Sequence, residues 1–274
     1  MEETTSLLIQ NKYKLIKLIG TGSYSHVYEG LHIVKNKKVA IKFDIQNNEI
    51  SKKLLQNEIS IYLYLLKHKM THIANIKSFG VIGSRNYIIM DYLYMDLDKF
   101  FKKHYKDINI SIINDLLNNA FILVNNMHKV GLVHRDIKPE NFLFNKYKEL
   151  CIIDLGLSTS MYNIKSSNKI IGTPLYCSYN THKILYYYET YDDIISIYFM
   201  FFHLIGKQLP WENIKILDKD KKYEKEKKQN TIYQSKKNTN FLEYYKNNEN
   251  YEYLIPLIKS YNNYLKNNEI RFYS

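Results

Sequence analysis

The order of hydrophobic and polar positions divides the chain into a strand-rich first third and a helical remainder. Short apolar and β-branched runs at Lys14–Ile19, Lys38–Phe43 and Tyr87–Met90 are typical of strands. Apolar residues recur at helical spacing over Leu54–Leu66. The pattern therefore predicts a small, β-rich region that contains one helix.

Helices are predicted from about residue 95 onward. Ile110–Val130 has one apolar face, and Ile194–Leu204 is almost wholly apolar, as expected of a central buried helix. Residues 212–240 carry many lysines and acidic residues and few apolar ones, which predicts a solvated excursion between helices. The chain as a whole is predicted to be an α+β protein of two lobes, joined by a linker near Asp91–Met95.

Composition and charge limit the class of protein. Of the 274 residues, 45% are hydrophobic and 24% charged, which is typical of a globular chain able to build two lobes. A formal net charge of +12 could indicate nucleic acid, an anionic membrane or acidic substrates as partners. Lys, Asn, Ile and Tyr share AT-rich codons, however, and no basic-aromatic motif is organised, so we do not expect a nucleic-acid partner.

No membrane or secretory segment is expected. The apolar run Ile194–Ile205 is too short to span a bilayer, and residues 1–5 lack the basic start of a signal peptide. The two cysteines, Cys151 and Cys177, make neither a disulfide framework nor a paired zinc motif. We therefore expect a cytoplasmic or nuclear protein that is neither secreted nor bound to a membrane.

Three segments carry candidate phosphate chemistry. The turn Gly20–Val27 has two glycines that would let backbone amides approach a phosphate, although hairpin turns also use glycine for conformational reasons. Lys42 lies in an apolar strand, either snorkelling from a sheet edge or anchoring phosphates. Glu58, on the following helix, is its candidate partner or else an ordinary exposed helix glutamate.

The segment Leu132–Leu143 packs His, Arg, Asp, Lys and Asn between apolar residues. Buried polar groups must each find a partner, so such a cluster is rare by chance. The strand in Leu150–Gly156 then carries Asp154 into a glycine-containing turn. Asn141 and Asp154 together offer the hard oxygen ligands that Mg²⁺ prefers.

The order of these motifs resembles the eukaryotic-type protein kinase superfamily from end to end. Val39-Ala-Ile-Lys42 is similar to its phosphate-anchoring motif, and His134-Arg-Asp136 with Asn141 is similar to its catalytic loop. Asp154-Leu-Gly156 is similar to its Asp-Phe-Gly turn, with Leu for Phe. Lys138, two residues after the catalytic aspartate, resembles the Ser/Thr-specific form of the loop.

Further motifs resemble the casein kinase I group, with the vaccinia-related kinase group as the nearest alternative. Gly172–His182 is similar to that group's Gly-Thr-Ala-Arg-Tyr-Ala-Ser-Ile-Asn-Thr-His, and Ser178-Tyr-Asn180 stands where most kinases have Ala-Pro-Glu. Asp192-Asp193, Gly206–Trp211 and Tyr251–Leu254 resemble other segments of the group. Two departures are Ser25, at the third glycine of the loop, and Leu175, at the group's arginine.

The resemblance implies a bilobal protein kinase fold over residues 13–265. The small β-rich lobe would comprise 13–91 and the larger helical lobe 92–265, with short extensions at 1–12 and 266–274. The implied function is an ATP-dependent serine/threonine protein kinase, a transferase that uses ATP and Mg²⁺ on protein substrates of acidic character and acts as a monomer. One alternative is a pseudokinase that serves as a binding scaffold. Another is a kinase of small molecules, although such enzymes typically lack an arginine between the histidine and the aspartate and lack a counterpart of Lys138.

The resemblance also implies the role of each site residue. Asp136 would orient the substrate hydroxyl and accept its proton, Lys138 would neutralise the γ-phosphate, and Asn141 and Asp154 would hold Mg²⁺. Thr173 would bond to Asp136 or Lys138, and Asp193 of the core helix would brace the catalytic-loop backbone. The implied ATP site consists of Ile19, Gly20, Thr21, Gly22, Ser23, Tyr24, Ser25, His26, Val27, Ala40, Lys42, Glu58, Met90, Asp91 and Leu93.

Overall fold

The computed structural model describes residues 8–167, 169–183, 185–214 and 221–269, with the backbone alone at 221–226 and 269. The strands, in chain order, are β1 (Leu8–Ile9), β2 (Tyr13–Thr21), β3 (Ser25–His32), β4 (Lys37–Asp44), β5 (Ile76–Ile82), β6 (Arg85–Asp91), β7 (Met95–Asp96), β8 (Leu132–Val133), β9 (Phe142–Phe144), β10 (Leu150–Ile152) and β11 (Thr159–Ser160). The α-helices are α1 (Glu49–Lys67), α2 (Leu97–His104), α3 (Ile110–Lys129), α4 (Thr190–Gly206), α5 (Lys221–Asn238), α6 (Phe241–Tyr245) and α7 (Tyr251–Glu269). Each predicted strand and helix falls inside one of these elements or extends past its end by no more than one residue, although several elements begin earlier than predicted.

The chain divides into two compact units. The first comprises the residues up to Asp96 together with Phe142–Ser158, and the second comprises Leu97–Asn141 and the residues from Thr159 onward. The first unit is rich in strands and the second is mainly helical. The predicted α+β class is therefore confirmed.

The first unit contains an antiparallel sheet with the strand order β1-β2-β3-β4-β6-β5. Alternation along β4 buries Val39, Ile41 and Phe43 in one core, which Ile9 and Tyr13 complete. Ile9 is 1% exposed. Residues 1–12 were expected to be a short terminal extension, and in their described part β1 supplies a core residue to this sheet.

The boundary between the units differs from the expected division at 91/92. The linker expected at Asp91–Met95 belongs to the first unit, since β7 pairs with β9 and β9 pairs with β10. The same pairing brings Phe142–Ser158 into that unit. A pattern along the chain could not reveal this, because pairing between strands far apart in sequence decides it.

The second unit is built around α4, as predicted from its apolar sequence. Ile195, Ile197 and Phe199 are fully buried. Aromatic rings from other helices pack on the same helix, with the Phe202 and Phe241 ring centroids 4.4 Å apart. This helix begins with a reciprocal capping box between Glu189 and Asp192 that satisfies its first amides.

The excursion predicted over residues 212–240 is solvated as expected in its described part, where Lys236 is the one buried side chain, but most of that part is a helix that the pattern did not predict. Residues 221–238 form α5, which packs on the 3₁₀ turn Tyr179–His182, while 215–220 lie outside the described residues. Lysine and glutamate favour helices. The buried side chain of Lys236 is enough to determine which side of α5 faces the protein, and the spacing of apolar residues gives no sign of it. The helix α7 likewise continues through 266–269, where an extension was expected. In the described part of the chain, every helix is too short or too polar to cross a membrane.

Candidate active site

The register of the first sheet brings candidate ATP residues onto one face. Val27 on β3 lies opposite both Gly20 on β2 and Lys42 on β4. Ala40, two positions before Lys42, lies opposite Met90 on β6. Because positions two apart point to the same face of a strand, the predicted phosphate and adenine residues share a surface.

The Lys42 ammonium lies between two carboxylates of the first unit. Its Nζ donates to Glu58 Oε2 at 2.6 Å and to Asp154 Oδ1 at 2.7 Å. Glu58 is 2% exposed, so it is not the ordinary surface glutamate that the sequence left open. Lys42 is 9% exposed and does not snorkel from a sheet edge, since β4 is flanked by β3 and β6.

Burial and charge act in opposite directions on this cluster. Burial alone would lower the pKa of the Lys42 ammonium, but attraction to Asp154 and Glu58 outweighs it and raises the pKa. Burial raises the pKa of Glu58 to about 7, against the opposing attraction of Lys42. The lysine therefore stays charged and is held in place ready for an anionic ligand.

The helix α1 also holds the turn that carries Asp154, through a residue that the sequence analysis missed. Asn57 Nδ2 donates to the carbonyls of Gly156 and Ser158, each at 2.9 Å. Asp154 itself has a left-handed backbone with φ of 61°. Glu58 and Asn57 are neighbours, so α1 positions both the lysine and the turn. An asparagine beside the candidate glutamate was the only signal in the sequence.

Neither the backbone conformation nor steric crowding requires glycine at positions 20 and 22 of the glycine-rich turn. A Cβ at Gly20 would meet Val27 at 3.7 Å and one at Gly22 would meet Ser25 at 3.7 Å, both ordinary contacts. Neither has a positive φ. The conformational explanation left open by the sequence is therefore not supported, and the absence of side chains suits close approach by another group.

Ser51, near the start of α1, forms a hydrogen bond with the backbone of the glycine-rich turn. The Ser51 hydroxyl is fully buried, donates to the Tyr24 carbonyl and accepts from the Ile45 amide. The remaining residues of the turn, Thr21, Gly22 and Ser23, are exposed, with Ser25 and His26 half-buried. Ile19, which lies within β2 two residues before its end, is 40% exposed.

The residues predicted to contact adenine follow β6. Met90 is buried, while Asp91 and Leu93 are half-buried. The Asp91 amide donates to the Asn75 carbonyl at 3.0 Å, so this amide is already paired within the protein. Lys77 pairs with the Asp91 carboxylate at 2.7 Å and, opposing burial, helps to lower its pKa.

In the second unit, the Asp136 carboxylate is held from both sides. Lys138 Nζ donates to Asp136 Oδ2 at 2.7 Å, and Thr173 Oγ1 donates to Asp136 Oδ1 at 2.7 Å. Asn141 Nδ2 donates to the Asp136 carbonyl at 2.8 Å. The bond expected of Thr173 is confirmed, and these contacts fix the carboxylate in one orientation.

Asp193 braces the catalytic loop from α4, as expected. It is fully buried and accepts from the backbone amides of His134 at 2.8 Å and Arg135 at 2.9 Å. The His128 ring and the Tyr188 hydroxyl complete its partners at 2.9 and 2.7 Å. Burial alone would raise the pKa of Asp193, but the His128 ring outweighs it and holds the pKa below its ordinary value.

A glycine that the sequence analysis did not single out allows two segments of this site to meet. Gly172 has φ of +90°, and a Cβ there would lie 2.2 Å from the Arg135 carbonyl oxygen. Arg135 in turn has φ of 70°, an uncommon backbone for a residue with a side chain. Thr173 can therefore reach Asp136 only because glycine precedes it.

The two residues predicted to hold Mg²⁺ belong to different units, Asn141 to the second and Asp154 to the first. The Asn141 amide nitrogen is occupied by the Asp136 carbonyl, so its Oδ1 is the atom suited to a cation. Asp154 supplies a carboxylate that is partly exposed. Taken separately, each side chain supplies a hard oxygen of the type that Mg²⁺ prefers. Among the described residues, no group of three or more His, Cys, Asp or Glu side chains is placed to hold a metal ion.

Comparison with known families identifies the family to which the chain belongs. The family model described as the protein kinase domain matches residues 13–267, two residues beyond the predicted end at 265. A protein kinase domain binds ATP, generally with a divalent metal, and is a phosphotransferase. The bilobal α+β fold, with its β-rich and helical parts, is the fold of this family. Since the match covers most of the 274 residues, the chain belongs to the protein kinase family.

Proposed function

We propose that this protein is an active serine/threonine protein kinase of the casein kinase I type that uses ATP and Mg²⁺. The observation that carries the proposal is the Asp136 carboxylate, held at 2.7 Å by both Lys138 and Thr173. A carboxylate fixed beside a lysine is suited to accept a proton from an alcohol while the lysine offsets charge on a transferring phosphoryl group.

In the proposed mechanism, positioning and electrostatics supply most of the rate enhancement. Asp136 orients the Ser or Thr hydroxyl and accepts its proton as the oxygen attacks the γ-phosphorus. The bond between that phosphorus and the β,γ-bridging oxygen of ATP breaks, and ADP leaves with the bond's electron pair. Lys138 offsets the charge on the γ-phosphoryl oxygens. Lys42, kept in place by Glu58, fixes the α- and β-phosphates. When bound, Mg²⁺ would be held by Asn141 and Asp154 and would neutralise charge on the phosphate oxygens.

The first test asks whether the protein transfers phosphate at all. The γ-phosphate of labelled ATP should pass to casein, with label on phosphoserine and phosphothreonine after acid hydrolysis. The Asp136→Asn variant is the control and should leave casein unlabelled. A folded wild-type protein that binds ATP without labelling casein or other acidic proteins would favour the pseudokinase scaffold instead. Label confined to phosphotyrosine would refute the Ser/Thr assignment.

We further propose that the substrates are acidic proteins without a required priming phosphate. Leu175 occupies the position at which the casein kinase I group carries an arginine, and its carbonyl accepts from Trp211 Nε1 at 2.8 Å. A leucine side chain has no donors, whereas a guanidinium gives a bidentate pair with phosphate. The net charge of +12 attracts acidic peptides diffusely, and salt screens such attraction.

This proposal predicts a weak preference for a phosphorylated neighbour. Losing one charge-assisted pair removes about 1.5–3 kcal/mol, roughly tenfold or more in discrimination. Matched peptides with Ser, Asp or phosphoserine three residues before the target should differ modestly in kcat/KM, and less at physiological salt. If phosphoserine is favoured by more than about tenfold at physiological salt, a phosphate pocket exists without Leu175 and the prediction fails.

We propose a monomer in a reducing compartment, the cytoplasm or the nucleus. Both cysteines, Cys151 and Cys177, are free and buried, which suits such a compartment. Burial raises the pKa of the Cys151 thiol to about 11, so this thiol stays protonated and poorly reactive. Sedimentation at micromolar concentration tests the monomer, and fractionation of the source cell tests the compartment.

A further inference from the structure

Lys236 on α5 is a buried lysine that the phosphoryl-transfer mechanism does not use. It is 1% exposed, although it lies in a segment whose sequence predicted a solvated surface. Its ammonium lies 5.2 Å from the centre of the Trp211 ring and 5.7 Å from that of Phe199. Burial lowers its pKa. A long cationic side chain is rarely buried unless its donors are satisfied, so its contacts indicate its role.

The donors of Lys236 are used on one short turn of the second unit. Its Nζ donates to the Pro174 carbonyl at 2.7 Å and to the Cys177 carbonyl at 2.6 Å, and lies 3.6 Å from Cys177 Sγ. Two backbone carbonyls three residues apart are thereby tied to one ammonium. The turn cannot rotate without breaking at least one of these bonds.

The same turn carries the hydroxyl that holds the candidate base. The amides of Tyr176 and Cys177 donate to the Thr173 carbonyl at 3.0 and 2.9 Å, closing the turn Thr173–Cys177. At its other end, Thr173 Oγ1 donates to Asp136 Oδ1. Hydrogen bonds at both ends of this turn, joined by the backbone of the turn itself, therefore connect α5 to Asp136.

We propose that Lys236 is a positioning residue that fixes the turn Thr173–Cys177 and, through Thr173, the orientation of the Asp136 carboxylate. It acts through other residues and does not touch the reacting groups. The catalytic part of this inference rests on the proposed kinase function, whereas the anchoring of the turn does not. A merely structural lysine would change stability without acting through Thr173.

The experiment compares Lys236→Met with Lys237→Met in the full chain. Lys237 is the next residue on α5, is exposed, and lies over the Tyr233 ring. Hydrogen exchange of the Tyr176 and Cys177 amides should become about tenfold faster or more in Lys236→Met and should not change in Lys237→Met. This measurement needs no catalysis. Lys236→Gln, which retains one amide donor group, is measured in the same way and serves if Lys236→Met does not fold.

The kinetic arm uses a peptide substrate. We expect kcat to fall by about 10- to 100-fold in Lys236→Met while the KM for ATP stays within about threefold. In a Thr173→Ala background, the further loss from Lys236→Met should shrink to less than about threefold, because both changes act on the same contact.

Three results would overturn the proposal. Unchanged exchange in both Lys236 variants would show that the turn is held by other contacts. Faster exchange with normal kcat would show that the anchor does not reach Asp136, and additive losses in the double variant would exclude Thr173 as the route. If the wild type transfers no phosphate, the proposed function fails, while the exchange measurement still decides the anchoring.

Discussion

Replacing Asp136 with asparagine should lower kcat by about 10³-fold or more and leave the fold intact. Lys138 and Thr173 donate to different oxygens of Asp136. The single side-chain oxygen of asparagine can still accept one of these hydrogen bonds, whereas its amide nitrogen can only donate. Asparagine cannot accept the proton of the substrate hydroxyl, and it removes the negative charge beside Lys138. The expected loss is therefore chemical, with little change in the KM for ATP.

Asp107→Asn is the matched control, because the Asp107 side chain is 82% exposed. Its kcat should equal that of the wild type. Thermal unfolding should show Asp136→Asn within a few degrees of the wild type, about the shift caused by 1 kcal/mol or less. A folded Asp136→Asn protein with more than about a tenth of normal turnover would remove Asp136 from the role of base.

The second large effect is expected from Lys42→Met, which should lower kcat/KM for ATP by about 100-fold or more. The substitution removes the ammonium that lies 2.6 Å from Glu58 and 2.7 Å from Asp154. It also leaves the buried Glu58 carboxylate without its counter-charge. Glu58 would then bind a proton more readily, and nothing in this cluster would attract the α- and β-phosphates.

Lys38→Met is the matched control for this change. Lys38 lies on the same strand, its side chain is 53% exposed, and it pairs with Glu29 at 2.8 Å. Its effect should be small, because an exposed ion pair contributes about 0–1 kcal/mol. Nucleotide affinity from fluorescence or calorimetry separates binding from turnover. If Lys42→Met keeps kcat/KM within about tenfold of the wild type, the phosphate-anchoring role is wrong.

The tertiary structure resolved alternatives that single segments of sequence left open. Glu58 could have been a surface residue of a helix, and its burial beside Lys42 shows that it is not. The glycines at 20 and 22 could have served the hairpin alone, but neither a positive φ nor crowding requires them there. The contact between Lys42 and Glu58 decides the first case, and the space around the two glycines decides the second. Neither can be read from the spacing of these residues in the sequence.

The structure adds most to the sequence-based expectations in segments whose partners are distant in sequence. Residues 212–240 have the composition of a solvated segment, yet α5 buries Lys236 against carbonyls at 174 and 177. Residues 1–12 gave no strand signal, yet Ile9 completes the core of the first sheet. Neither fact follows from hydrophobic period, because a single buried residue makes no periodic pattern.

The sequence by itself determined the fold class, the central helix α4 and the order of the motifs, because each depends on local periodicity or on short runs of residues. Only the tertiary structure decided which polar residues share a contact. It pairs Lys42 with Glu58 and Asp154, sets Thr173 on Asp136, and requires glycine at 172. The physical reason is that a buried polar group is stabilised by hydrogen-bond partners that come close to it only when the chain folds. The number of residues between two such partners in the sequence does not show that they will meet.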